Sequence, residues 1–241
     1  MNPTFSVLHA TWGRPHKAIA AMRQWRDHCS RPQDVEYIFA CNADDSTVPD
    51  LMDLLEHGKG FSTLVITDAF RGSAPAWDAA AKSSTGQWLI QAQDDLEPPK
   101  DWDGGLLLKI IDADFYPYGH LHQPAVIAVS DGYRKDTLQT IAIANRDRYE
   151  QVGEFIHSGY FSQFSDDDFS YRSIRDARAG KCTLIDARDL IFKHRHACHD
   201  PSVPFDATYA RGSSPEAWAH GQALFLRRNP EAASDGLRTW T

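Results

Sequence analysis

The chain has 241 residues, a formal net charge of −8, 42% hydrophobic and 24% charged residues. That length suits one large domain or two intimate halves with an ample core, and the acidic balance argues against a protein whose main task is gripping nucleic acid. No apolar run is long enough to cross a bilayer, no basic-then-apolar leader opens the sequence, and the scattered cysteines (Cys29, Cys41, Cys182, Cys198) form no CxxC pair. The expectation is a cytoplasmic protein with reduced thiols.

Taken in chain order, Phe5–Ala10 reads as a short buried strand, broken by Thr11-Trp12-Gly13-Arg14-Pro15. Pro15 suits a first helical turn, and Ala18, Ile19, Met22 and Trp25 recur at helical spacing across 16–28. Residues 35–40 form a second strand that runs into Asn42-Ala43-Asp44-Asp45. A helix over 48–57 carries Leu51, Leu54 and Leu55 on one side, with Gly58 as its stop. A third strand covers 61–67, an alanine-rich helix 74–84, and a fourth strand 87–93, entered through Gly86 and left through Asp94-Asp95 and two prolines.

Strands separated by helices predict a mostly parallel sheet with right-handed crossovers. Ligands on such sheets bind at the carboxyl ends of the strands, where Thr11–Arg14, Asn42–Asp45, Arg71 and Asp94-Asp95 all fall. Adjacent carboxylates at a buried strand end are costly without a cation between them, and Mg²⁺ or Mn²⁺ bridging to a phosphate supplies one. The competing reading is an acidic turn with solvated side chains.

The second half is less regular. It offers helices over 102–111, 146–152, 166–179 (closed by Gly180) and 216–228, and strands over 125–130, 141–144, 182–185 and 189–194. Three divisions follow: 1–100, 101–200 as the second half of the same domain, and 201–241 as a C-terminal extension.

In order and spacing the chain resembles a GT-A-fold glycosyltransferase, similar to family 2. Ala10-Thr11-Trp12-Gly13-Arg14 stands where such enzymes carry Pro-Thr-Tyr-Asn-Arg, and Ala43-Asp44-Asp45-Ser46-Thr47 where they carry Asp-Asp-Gly-Ser-Thr. The Gly72 to Gly86 spacing fits their third segment, with Trp77-Asp78 for Arg-Asn. Their metal-binding Asp triplet becomes Gln93-Asp94-Asp95, which keeps the last carboxylate. Ser165-Asp166-Asp167-Asp168-Phe169, then Arg172 and Ala179-Gly180, match Glu-Asp-x-Asp-Leu, Arg and Ala-Gly, and Phe205–Tyr209 extends the likeness.

The resemblance implies an α/β, Rossmann-like GT-A fold, with 1–100 as its nucleotide-sugar-binding half and 101–200 as an irregular acceptor and catalytic half. It implies a metal-dependent, inverting transferase that moves a sugar from a UDP- or GDP-type donor to a hydroxyl acceptor. Asp95 would hold Mn²⁺ or Mg²⁺ with His194 or His196, Asp94 would bind the ribose or a metal-bound water, and Asp166, or else Asp168, would act as base. Thr11, Trp12, Arg14, Asn42, Asp44 and Arg71 would contact the nucleotide.

Other uses of these residues stay open. Asp166–Asp168 could cap a helix, and Trp12 could be core. His194, His196, Cys198 and His199 could form a zinc site or a plain polar loop. Arg134, Lys135, Arg146 and Arg148 could line a nucleic-acid path, so a nucleic-acid acceptor is not excluded. The rival functions are a non-catalytic nucleotide-sugar-binding module and a nucleotidyltransferase, although Thr11–Lys17 lacks the latter's glycine- and lysine-rich phosphate loop.

Overall fold

A computed structural model of the chain describes residues 3–57, 62–115 and 123–233. The expected stop at Gly58 and strand start at Phe61 lie outside the described residues. Four parallel strands, β1 (Phe5–Ala10), β2 (Val35–Asn42), β3 (Ser62–Asp68) and β4 (Trp88–Ala92), stand in the spatial order β3-β2-β1-β4. Helices α1 (Pro15–Asp27), α2 (Thr47–His57) and α3 (Ser73–Ser83) connect them. Every residue of β1 and β4 is buried, as strands covered on both faces require.

Alternation along β1 sorts its side chains between two layers. Phe5 and Val7 join Trp25, Tyr37, Phe39 and Trp102 on one face, while Leu8 and Ala10 join Ile38, Leu89 and the alanines of α3 on the other. On the first face the Trp25 and Trp102 rings meet edge to face at 5.0 Å, and the Trp102 indole donates to the Trp25 carbonyl at 2.9 Å. Trimming either ring to Ala would cost about 3–5 kcal/mol.

The second half extends the same sheet. Its elements are β5 (Leu96–Glu97), α4 (Trp102–Asp112), β6 (Ala125–Ser130), β7 (Ile143–Asn145), α5 (Arg146–Val152), α6 (Ser165–Arg178), β8 (Thr183–Ile191), β9 (Lys193–His194), α7 (Ala207–Gly212) and α8 (Pro215–Arg228). The seven-stranded order is β3-β2-β1-β4-β7-β6-β8, with β7 antiparallel to both neighbours and β6 parallel to β8. The fold is therefore the expected mostly parallel α/β sheet flanked by helices. Among the described residues no helix is long and apolar enough to cross a membrane.

One expectation needs correction. Residues 182–185 and 189–194 do not form two separate strands: β8 runs through Thr183–Ile191, and the residues after it pair elsewhere. Ladder partners jump from Val129↔Ala187 to Ser130↔Ile191, so residues 188–190 bulge out of the pairing. Beyond the bulge, β9 crosses to pair antiparallel with β5, Leu96 opposite His194. That small second sheet brings the histidine segment beside the Asp94-Asp95 turn.

Candidate active site

At the carboxyl end of β1 the chain turns at Gly13, whose φ of +65° favours glycine. The Gly13 N–H donates to both oxygens of Asp45, at 3.0 and 2.8 Å. Asp45 also accepts from the Thr47 N–H at 2.7 Å and its hydroxyl at 2.6 Å. Buried Asp45 thus joins the β1 and β2 loops, while Asp44 is exposed and Asn42 half-buried. Thr11 is buried beside them, and its hydroxyl has no hydrogen-bond partner among the described residues. Trp12 is half-buried, with the Arg211 guanidinium 4.5 Å above its ring. Arg71 is exposed.

The neighbouring aspartates part company. Asp94 is drawn inward: His9 Nε2 lies 2.9 Å from its Oδ1, and an Arg14 nitrogen 3.9 Å from Oδ2. His9 itself is fully buried and reaches the Tyr37 hydroxyl at 2.6 Å through Nδ1. Sequence reading missed His9, because its position inside an apolar strand marked it as core. Asp95 faces the histidine segment. Its Oδ2 accepts from the Tyr209 hydroxyl at 2.7 Å, and its Oδ1 lies 3.5 Å from His194 Nε2, which is also 2.6 Å from the Gln93 amide nitrogen.

Burial opposes the Asp95 charge, but His194, the Tyr209 hydroxyl and His196 outweigh it and hold the carboxyl at about 2. His194 is also penalised by burial, yet Asp95, with Asp131 and Asp166 behind it, raises its pKa. His196 shifts downward through burial and the repulsion of His194. Its ring lies 5.3 Å from that of His194 and 4.5 Å from that of Tyr209, and its Nδ1 accepts from the Cys198 N–H at 3.1 Å.

An ionised carboxylate beside two imidazoles is a donor set open to first-row divalent metals, with the carboxylate the part that suits Mn²⁺ or Mg²⁺. As they stand, no three His, Cys, Asp or Glu side chains among the described residues converge as a formed metal site. The zinc alternative gains no support, because His199 stacks on Tyr133 at 5.0 Å and Cys198 is exposed.

At α6 the three aspartates have different surroundings. The helix starts at Ser165, not Asp166, and its N-cap Phe164 (φ +67°) supplies no side-chain cap. None of the aspartates therefore serves as the N-cap residue. Asp166 and Asp167 are crowded together. Desolvation raises both carboxyls, repulsion by Asp166 adds to the shift of Asp167, and Arg134 partly offsets the rise. Asp168 points away into the protein. It accepts from the Asn229 amide at 2.7 Å and Arg228 Nε at 3.2 Å, and an Arg172 nitrogen lies 3.5 Å away. Glu154 completes the cluster by pairing with Arg172 at 2.7 Å and with Arg228.

The C-terminal segment arrives last. Asp206 caps α7 by accepting from the Thr208 and Tyr209 N–H groups at 3.1 and 3.2 Å. Its carboxylate also receives Arg14 Nε at 3.0 Å, Arg14 Nη2, and Lys17 Nζ at 3.2 Å. Tyr209 lies under the Arg14 guanidinium, 4.1 Å from ring centre to Cζ. Neither Tyr209 nor Asp206 could be assigned from spacing, since more than a hundred residues separate them from their partners (|i−j| is 114 for Tyr209–Asp95).

No protein-family model matches the sequence, and no curated protein matches it. Among solved structures, S. aureus TarS is similar with a TM-score of 0.61 at 12% identity, covering 80% of this chain and 36% of that one. The chain thus spans little more than a third of that TarS chain, and 59% of a TarS 1–349 structure. Mannosyltransferase PcManGT from Pyrobaculum calidifontis, in complex with GDP-Man and Mn²⁺, gives 0.58 at 14% identity, covering 96% of this chain and 76% of its own. Glucosyl-3-phosphoglycerate synthase from Mycobacterium tuberculosis gives 0.54 at 11% identity, with coverages of 94% and 80%. The neighbours are GT-A glycosyltransferases, and at these identities the likeness shows the fold.

Proposed function

We propose that the chain is a glycosyltransferase that moves a sugar from a nucleoside-diphosphate donor, of UDP or GDP type, to a hydroxyl of an acceptor with inversion at the anomeric carbon. The observation that carries this reading is the meeting of Asp95 with His194 and His196 at the carboxyl edge of the sheet, within electrostatic reach of Asp166. The complexes of similarly folded proteins with UDP, UDP-GlcNAc, and GDP-Man with Mn²⁺ support it.

Asp95, His194 and His196 would hold Mn²⁺ or Mg²⁺, which supplies a Lewis acid for the charge developing on the leaving diphosphate. The remaining work falls to the chain's own groups. Trp12 offers a flat face to the base, and Asn42 or Asp44 can accept its ring N–H groups. The orphaned Thr11 hydroxyl gains a partner from a ribose or base atom. Asp94, braced by His9, keeps the β1 and β4 ends together. Asp166 takes the proton from the attacking hydroxyl, and its raised pKa makes it the stronger base. Asp168 is a weaker choice, because its oxygens already serve Asn229, Arg228 and Arg172.

Calorimetric titration of Mn²⁺ with UDP and with GDP tests the donor half of the reading. Binding of one of them that needs metal and disappears in Asp95→Ala is expected; failure of every nucleoside diphosphate to bind overturns it. Slow hydrolysis of the donor sugar tests the base. Asp166→Asn should retain nucleotide binding and lose about 10²–10⁴-fold in turnover, whereas normal turnover in that variant removes Asp166 from the role.

A further inference from the structure

The ion cluster between α1 and α7 has an unusual distribution of burial. Arg14 is sealed in, with its side chain 7% exposed, whereas Asp206 and Lys17 are 32% and 41% exposed. The cations belong to the β1–α1 corner, next to Trp12 and Asp94; the anion comes from a segment 192 residues later in the chain. A cap on α7 needs one acceptor oxygen, yet both Asp206 oxygens also serve Arg14.

Beyond Asp206 the same short helix meets the other donor-side groups. Thr208 donates its hydroxyl to the Trp12 carbonyl at 3.1 Å, and Arg211 covers the Trp12 ring. Tyr209 donates to Asp95 and packs on His196. The two sites are continuous, because Arg14 lies over the ring whose hydroxyl holds Asp95. A diphosphate reaching both Asp95's surroundings and the guanidinium of Arg14 would occupy the space that Tyr209 fills and replace the negative charge that Asp206 supplies.

We propose that Arg14 and Lys17 are the diphosphate-binding pair of the donor site, and that Asp206 is a built-in anion that occupies them until a diphosphate takes its place. The inference rests on the donor-binding reading above and deepens it. The ligand class is a doubly charged phosphate chain, recognised by a planar fork and a point charge. Displacement moves α7 outward and releases Asp95 from Tyr209. It breaks no covalent bond; the exchange is of one anion for another. Binding is therefore weaker than the cation pair alone would give, since Asp206 must first be displaced.

The test uses the full chain with Mn²⁺ and titrates UDP, GDP, inorganic pyrophosphate, uridine and guanosine. Asp206→Asn removes the charge while keeping an N-cap acceptor, so α7 retains its start. Asp206→Ser is a second neutral cap. In both variants the diphosphates should bind about fivefold tighter, the scale of one partly exposed ion pair, with affinity for the nucleosides unchanged. Lys17→Gln should weaken the diphosphates alone. Wild-type protein offers a variant-free reading: pyrophosphate should speed tryptic cleavage after Arg211, and uridine should not. If wild type binds UDP or GDP but the neutral caps bind it no tighter, or cleavage after Arg211 is unchanged, the displacement idea is overturned while the donor reading stands. If no diphosphate binds at all, both fall together.

Discussion

Among individual side chains, burial divides carboxylates that the sequence presents as equivalent. Asp95 is ionised against its own burial by His194, Tyr209 and His196, so it holds the negative charge that a cation can share. Asp95→Ala should weaken Mn²⁺-dependent nucleotide binding by more than the roughly tenfold lost when only an outer partner of a metal ligand is removed, as read by calorimetry. Asp168 behaves oppositely. Removing it takes one acceptor from Arg228, which keeps Glu154, and one from buried Asn229, so Asp168→Ala should cost about 1–3 kcal/mol of stability in urea titration, with nucleotide affinity retained. Asp167 carries a pH prediction. Desolvation and then repulsion from Asp166 push its carboxyl up to about 7 from 3.8, so the folded state holds a proton more tightly than the unfolded state does. Stability contributed here is present at low pH and falls as pH rises across that window. Urea midpoints at about pH 5 and about pH 8 should differ less in Asp167→Asn than in wild type.

Single elements show how contacts override local pattern. The spacing from Gly72 to Gly86 was legible, but its reason was not. Gly72 has φ +152°, and a Cβ there would sit 1.9 Å from the Phe161 carbonyl oxygen, so α3 begins pressed against the loop before α6. Gly72→Ala must therefore displace that loop and strain the backbone, and a loss of about 3 kcal/mol is expected in chemical denaturation. Gly86 is fixed in the same way by Ser6, whose hydroxyl accepts from its N–H at 2.9 Å and would meet a Cβ at 2.3 Å. In the second half, the helices 146–152 and 216–228 were read nearly to the residue, because cap and stop signals are local. Of the strands there, 125–130 agrees with β6 to the residue, whereas those after 180 differ. Whether residues 188–190 bulge, and whether Lys193-His194 continues β8 or crosses to β5, depends on the neighbouring ladder.

For the molecule as a whole, β7 is the decisive piece. It is hydrogen-bonded to β4 of the first half and to β6 of the second, so one sheet runs through both. Core residues from the two halves mix on each face, Trp25 with Trp102 and Leu8 with Val126. Unfolding should accordingly give one transition, with far-UV circular dichroism and tryptophan fluorescence coincident; two separated transitions would contradict the shared sheet. The alternation of strands and helices, the mostly parallel sheet and the loops at its carboxyl edge are legible in the residues alone, because periodicity, caps and glycine stops act within a few residues. Which charges meet there is a matter of three-dimensional packing. His9 turns Asp94 inward, Asn229 and Arg228 claim Asp168, and Asp206 reaches Arg14 across most of the chain. Such pairings depend on the desolvation and Coulomb energies of groups far apart in sequence, and no local pattern encodes those.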